Sequence, residues 1–152
     1  MFNNYGWSSK GARVIFKRVT SSNKSVSLIS AISNQKVIYR MIVHGSVNSD
    51  IYIQFIKGVN KRVHHKKLLM DNCSIHHSKK VKKHMEGKTN KILYNVAYSP
   101  ETNPIEQVFK NIKTYVRRKT TDTSNKLIGA INKALNKVTT NDLACYYKHS
   151  FG

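Results

Sequence analysis

The spacing of apolar positions changes along the chain, and each change marks an element. In the first third, Ala12–Val19, Val26–Ser33 and Val37–Val43 are rich in Val, Ile and Tyr. They are separated by Thr20–Lys24 and Asn34–Lys36, whose composition suits turns. Three sequential antiparallel strands are expected. After Gly45 the period lengthens: Ile51, Tyr52, Phe55, Ile56 and Val59 recur at helical spacing behind Ser49 and Asp50, which suit a helix N-terminus. Lys67–Met70 then reads as a short apolar strand ending at Asp71, followed by a loop, a basic helix over Ser78–Glu86 and a stop at Gly87. A further strand is expected over Ile92–Tyr98. Pro100 and Pro104 bracket a turn, after which Ile105, Val108, Phe109, Ile112 and Val116 form the apolar face of a helix. Its other face carries Glu106, Lys110, Lys113 and Arg117. Leu127, Ile128, Ile131, Leu135 and Val138 predict one more helix, and a short segment around Leu143–Tyr147 closes the chain. Antiparallel strands first, then strand and helix in alternation, predict an α/β fold with a mixed sheet flanked by helices.

Composition narrows the class of partner. At 152 residues and 39% apolar content the chain has the size and core material of one domain. Lys and Arg number 27 against 7 Asp and Glu, a net charge of +20, which calls for a polyanionic partner. The basic residues are scattered from Lys10 to Lys148 and are not gathered on one amphipathic helix, which favours nucleic acid over a membrane surface. No apolar run approaches the ~18 residues of a membrane span, and the N-terminus lacks the order of a signal peptide, so an intracellular protein is expected. Cys73 and Cys145 stand too far apart to suggest a zinc ligand set or a disulfide framework.

In a chain this poor in acids, two carboxylates occupy positions suited to chemistry. Asp71 falls at the C-terminal end of a strand, where α/β folds commonly place ligands, and its neighbour Asn72 is expected to orient it by hydrogen bonding. Glu106 falls in the first turn of a helix introduced by Ser99-Pro-Glu-Thr-Asn-Pro104, with Asn103 expected as its cap. Two rigidly held carboxylates suit a hard cation, Mg2+ or Mn2+, which takes oxygen ligands and leaves positions open for phosphate and water. Structural alternatives stand beside this reading. Glu106, three residues after Asn103, could close a capping box or pair with Lys110, and Asp71 could cap the loop that follows it.

The wider context of these residues resembles a known family. Leu68-Leu-Met-Asp-Asn-Cys-Ser-Ile-His-His-Ser78, Tyr98-Ser-Pro-Glu-Thr-Asn-Pro-Ile-Glu-Gln-Val-Phe109, Lys113 and Arg117-Arg118 resemble the DDE transposases of the mariner and bacterial insertion-sequence superfamily. The 34 residues between Asp71 and Glu106 match the spacing of a branch with Glu in third place. Tyr5-Gly-Trp-Ser-Ser-Lys-Gly11, Gly45-Ser-Val-Asn48 with Tyr52, and Tyr146-Tyr-Lys-His-Ser-Phe-Gly152 extend the resemblance over nearly the whole chain. It implies a ribonuclease-H-like catalytic domain, with Asp71 and Glu106 as catalytic ligands of Mg2+ or Mn2+, to which Asn72 and Asn103 would lend support, and with His76 near the metal or the DNA; the alternative for His76 is a helix-entry histidine bonded to backbone. At this net charge the runs Lys79-Lys80 and Lys82-Lys83, together with Lys110, Lys113, Arg117 and Arg118, are expected to contact DNA phosphates, the alternative for the lysine runs being a solvated helix face. The implied partners are transposon ends and target DNA, with no membrane, and a homodimer of the full-length protein is compatible with the family. The expected location is intracellular, the nucleus in a eukaryote and the cytoplasm or nucleoid in a bacterium.

One departure bears on activity. In the family the first catalytic Asp lies on the first strand, upstream of the Tyr-Gly-Trp segment, and recognition domains of helix-turn-helix type precede it. Here Tyr5 follows Met1 by four residues, so the first strand with its Asp and the recognition domains are expected to be missing and the 152 residues alone are expected to be inactive. Asp50, at a helix start, is read as a charge on the helix dipole and not as the replacement ligand. The rival reading is a basic nucleic-acid-binding protein, or a relic of a transposable element, that holds DNA by charge alone.

Overall fold

The fold was derived from a computed structural model, which describes residues 25–96, 102–119 and 121–151. The strand expected over Ala12–Val19 lies outside them, as do Ala97 and Tyr98 of the strand expected over Ile92–Tyr98. Strands β1 (Val26–Ile32) and β2 (Val37–His44) form an antiparallel ladder, and helix α1 (Ser49–Asn60) follows. Its cap is Asn48, whose side chain accepts from the Ile51 N–H at 2.9 Å, while Asp50 sits in the first turn. Strand β3 (Lys67–Met70), helix α2 (Lys79–Met85) and strand β4 (Lys91–Tyr94) come next, with β3 and β4 parallel. Ser78 caps α2, and Gly87 beyond its end takes a φ of +70°, a conformation glycine adopts without a steric cost.

Helices α3 (Ile105–Arg117), α4 (Ser124–Asn136) and α5 (Thr140–Phe151) complete the chain. The last is a helix of 12 residues where a short segment was expected. Its start is a reciprocal box: the Thr139 N–H donates to Asp142 Oδ2 at 2.8 Å, and the Asp142 N–H donates to Thr139 Oγ1 at 3.1 Å.

Strand β1 is apolar on both faces because both are covered. Ile29 and Ala31 pack with a core made by Tyr52, Phe55, Ile56 and Val59 of α1, Met70 of β3, and Val81 and Met85 of α2. Val26, Leu28 and Ile32 pack with a second core of Val108 and Ile112 of α3, Ile131, Ala134 and Leu135 of α4, and Leu143 of α5. Helices thus flank the strands on both sides. The mixture of antiparallel and parallel pairing agrees with the expected α/β class, but among the described residues it is carried by two separate two-stranded ladders. Between them lies a cavity of about 500 Å3, bordered by consecutive residues of β1 (Leu28–Ile32) and by Lys67–Asp71 along and just beyond β3.

Candidate functional site

Asp71 stands at the mouth of this cavity, directly after the buried Met70. Its Oδ1 accepts from the Cys73 N–H at 3.2 Å and lies 2.8 Å from His76 Nδ1. The same nitrogen is 3.1 Å from the Asp71 carbonyl oxygen. Both neighbours of Nδ1 are acceptors, so the hydrogen of the imidazole is assigned to Nδ1. The Asp71 side chain is 56% exposed and that of His76 17%. With Oδ1 engaged twice, Oδ2 has no hydrogen-bond partner among the described residues. The His76 ring lies against Tyr52, with centroids 4.4 Å apart. Burial first, and then the charge of Asp71, push the Tyr52 phenol well above the ordinary tyrosine range.

Glu106 is the second residue of α3, and its N–H donates to the Asn103 carbonyl at 3.0 Å. The expected side-chain cap from Asn103 is not formed. The cap position is Pro104, already in helical conformation at φ −55°, and no side-chain cap bond is made there. The first amide is taken up instead by the carbonyl of Asn103, which accepts the Glu106 N–H. Among the described residues the Glu106 carboxylate forms neither a capping box nor a pair with Lys110. Glu106, Asn103, Asp71 and His76 all line the one cavity, so residues far apart in sequence share a single opening.

Asn72 does not orient Asp71 as expected. Its Nδ2 donates to the Asn95 carbonyl at 2.7 Å and its Oδ1 lies 2.9 Å from His77 Nε2, so it ties the loop after β3 to the segment after β4. His77 is half-buried and stacked on Tyr94 with centroids 4.0 Å apart. The Tyr94 hydroxyl in turn donates to the His76 carbonyl at 3.1 Å. Sequence reasoning missed Tyr52, His77 and Tyr94 as supports of this loop. The available signal was their aromatic character at positions flanking the Asp71 motif.

The basic residues singled out from the sequence lie on two helices or at their ends. Lys79, Lys80, Lys82 and Lys83 of α2, and Lys110, Lys113 and Arg117 of α3 with Arg118 at its C-cap, are all exposed. Lys80 Nζ is held by the Asp50 carboxylate at 2.9 and 3.1 Å, so it is less available than its neighbours. Among the described residues no group of three or more His, Cys, Asp or Glu side chains is placed to hold one metal ion. Nor is any described helix long and apolar enough to cross a membrane.

The fold thus defines an α/β domain with helices on both sides of its strands, in which Asp71 and Glu106 line one cavity. The sequence profile of the DDE superfamily endonucleases matches residues 1–128, and the chain belongs to that family. The search of curated proteins found no match. Among solved structures, the Mos1 strand transfer complex superposes with a TM-score of 0.77 at 17% identity, over 96% of this chain and 46% of that one. The catalytic domain of Mos1 mariner transposase gives 0.72 at 18% identity, over 84% and 69%. The Mos1 catalytic domain with raltegravir and Mn gives 0.74 at 19% identity, over 84% and 70%. These likenesses show the fold, which is ribonuclease-H-like, and the chain spans about half the length of the first of them.

Proposed function

We propose that this domain serves DNA transposition, and that Asp71 and Glu106 are two of the ligands through which it holds Mg2+ or Mn2+ for strand cleavage and strand transfer. The observation that carries this reading is that Asp71 and Glu106 line one cavity although 34 residues lie between them. The donor set fits the metal: carboxylate oxygens are hard ligands, and among the described residues Asp71 retains a free oxygen and Glu106 is not consumed by a cap or an ion pair. Bound there, a divalent ion supplies a Lewis acid and an activated oxygen nucleophile for in-line displacement at phosphorus. The chain's own part is to hold these oxygens still and to bring DNA to them. His76 and the Cys73 amide fix Oδ1 of Asp71, and the backbone bond to Asn103 fixes the start of α3. Exposed Lys and Arg on α2 and α3 pair with DNA phosphates. The expected partners are transposon ends and target DNA, and the expected setting is intracellular.

The 152 residues on their own are proposed to bind one ion weakly and to cleave DNA at no appreciable rate. Two divalent ions ~3.5–4 Å apart bring four positive charges, and two carboxylates supply only two negative ones. Iron-directed cleavage tests the shared site. With Fe2+ in place of Mg2+ and ascorbate present, hydroxyl radicals formed at the ion should cut the chain near both residue 71 and residue 106. Cuts at one of them alone, or at neither, would reject the site. A nicking assay on duplex DNA with Mn2+ tests the second proposal, which fails if nicking is seen and is abolished by Asp71→Ala.

A further inference from the structure

Tyr52 touches neither carboxylate, yet it grips the chain on both sides of Asp71. It is 5% exposed on the buried face of α1. Its hydroxyl donates to Met70 Sδ at 3.3 Å, and Met70 is the residue before Asp71. Its ring stacks on His76, the residue whose Nδ1–H reaches Asp71 Oδ1. We propose that Tyr52 is a positioning residue for the metal site: by holding the His76 ring, it fixes which oxygen of Asp71 is tied down and which is left to ligate. This inference rests on the reading of Asp71 as a metal ligand.

The physical need is clear from exposure. Asp71 is a short side chain, more than half exposed, with little packing of its own to select a rotamer. An imidazole that donates to its Oδ1 selects one, provided the imidazole itself cannot swing. The backbone contact to the Asp71 carbonyl and the Tyr52 ring remove that freedom together. A sulfur acceptor makes only a weak hydrogen bond, so the ring should matter more than the hydroxyl. A purely packing role predicts something else, namely that any well-fitting apolar side chain would serve.

Mn2+ binding followed by electron paramagnetic resonance separates the two roles in the full chain. Tyr52→Leu, or Tyr52→Met if the leucine variant does not fold, should weaken Mn2+ binding about tenfold or more, the range seen when residues supporting metal ligands are removed. Tyr52→Phe, which keeps the ring, should stay within about threefold of the parent. Val59→Ala, a cavity in the same core two helical turns along α1 from Tyr52, should lower thermal stability and leave Mn2+ binding unchanged. Parent-like binding by the folded Leu or Met variant, equal weakening by Val59→Ala, or loss of fold in both Tyr52 variants would each overturn the proposal and leave Tyr52 a core residue only. Asp71→Ala in the same titration keeps the two readings apart. If it abolishes binding while Tyr52→Leu does not, only the positioning role fails, and if it binds as the parent does, the metal-site reading fails as well.

Discussion

At position 58 the close approach of α1 to β2 leaves no room for a methyl group. A Cβ built on Gly58 would overlap the edge of the Tyr39 ring. That ring cannot easily move aside, because Phe55 stacks on it with centroids 5.6 Å apart and the Arg62 guanidinium lies 4.3 Å above it. Gly58→Ala should therefore destabilise the fold by about 1–3 kcal/mol, although alanine is the better helix former, and urea unfolding will show it. An unchanged or raised midpoint would mean that the helix shifts at no cost. Such contacts are not legible in a sequence, since Gly58 in a helical pattern reads only as a weak position. The chemistry-bearing residues were more legible. Asp71 and Glu106 stand out because acids are scarce and because each begins or ends a clearly patterned segment. What the sequence hid was orientation. Asn72 and Asn103 each carry a side chain suited to the expected bond, but the backbone after β3 turns Asn72 toward Asn95, and at the start of α3 the carbonyl of Asn103, not its side chain, takes the Glu106 amide.

Elements whose apolar period was strong appear where expected. β3 spans Lys67–Met70, and α1, α3 and α4 start within a few residues of their predicted starts, because each buries one face against a core that rewards that period. Helix α5 was underestimated because its start is secured by a polar device and not by an apolar stripe. Hydrogen bonds from the backbone and hydroxyl of Thr139 hold the Asp142 carboxyl below its ordinary range. The folded state therefore binds that proton less readily than the unfolded chain. The stabilisation is complete above the unfolded value of about 3.9 and is lost as pH falls below it through the folded value. Asp142→Ala should cost about 0.5–1 kcal/mol at neutral pH, and the difference from the parent should vanish in acid. Urea midpoints at pH 7 and pH 3 will measure both, and a difference as large at pH 3 as at pH 7 would contradict the assignment. The partition into two ladders could not be read from local pattern at all, since strand pairing depends on partners distant in the chain.

For the molecule as a whole, charge and cavity act together. A net charge of +20 draws in any polyanion, and most of the candidate DNA contacts stand exposed on α2 and α3. Affinity for random duplex DNA should fall steeply with salt, with a log–log slope of about −0.9 for each phosphate neutralised, and should differ little between sequences. Fluorescence anisotropy across a salt series checks this, and salt-independent binding would rule out phosphate contact as its basis. Charge alone would also serve a protein with no chemistry, so the decisive claim is that Asp71 and Glu106 act on one ion. A double-mutant cycle on Mn2+ binding tests it. If both carboxylates ligate the same ion, Asp71→Ala and Glu106→Ala should each remove most of the affinity, and the double variant should lose far less than the sum of the two single losses. Losses that add in full, or a single variant that binds as the parent does, would show that the two residues do not share a site.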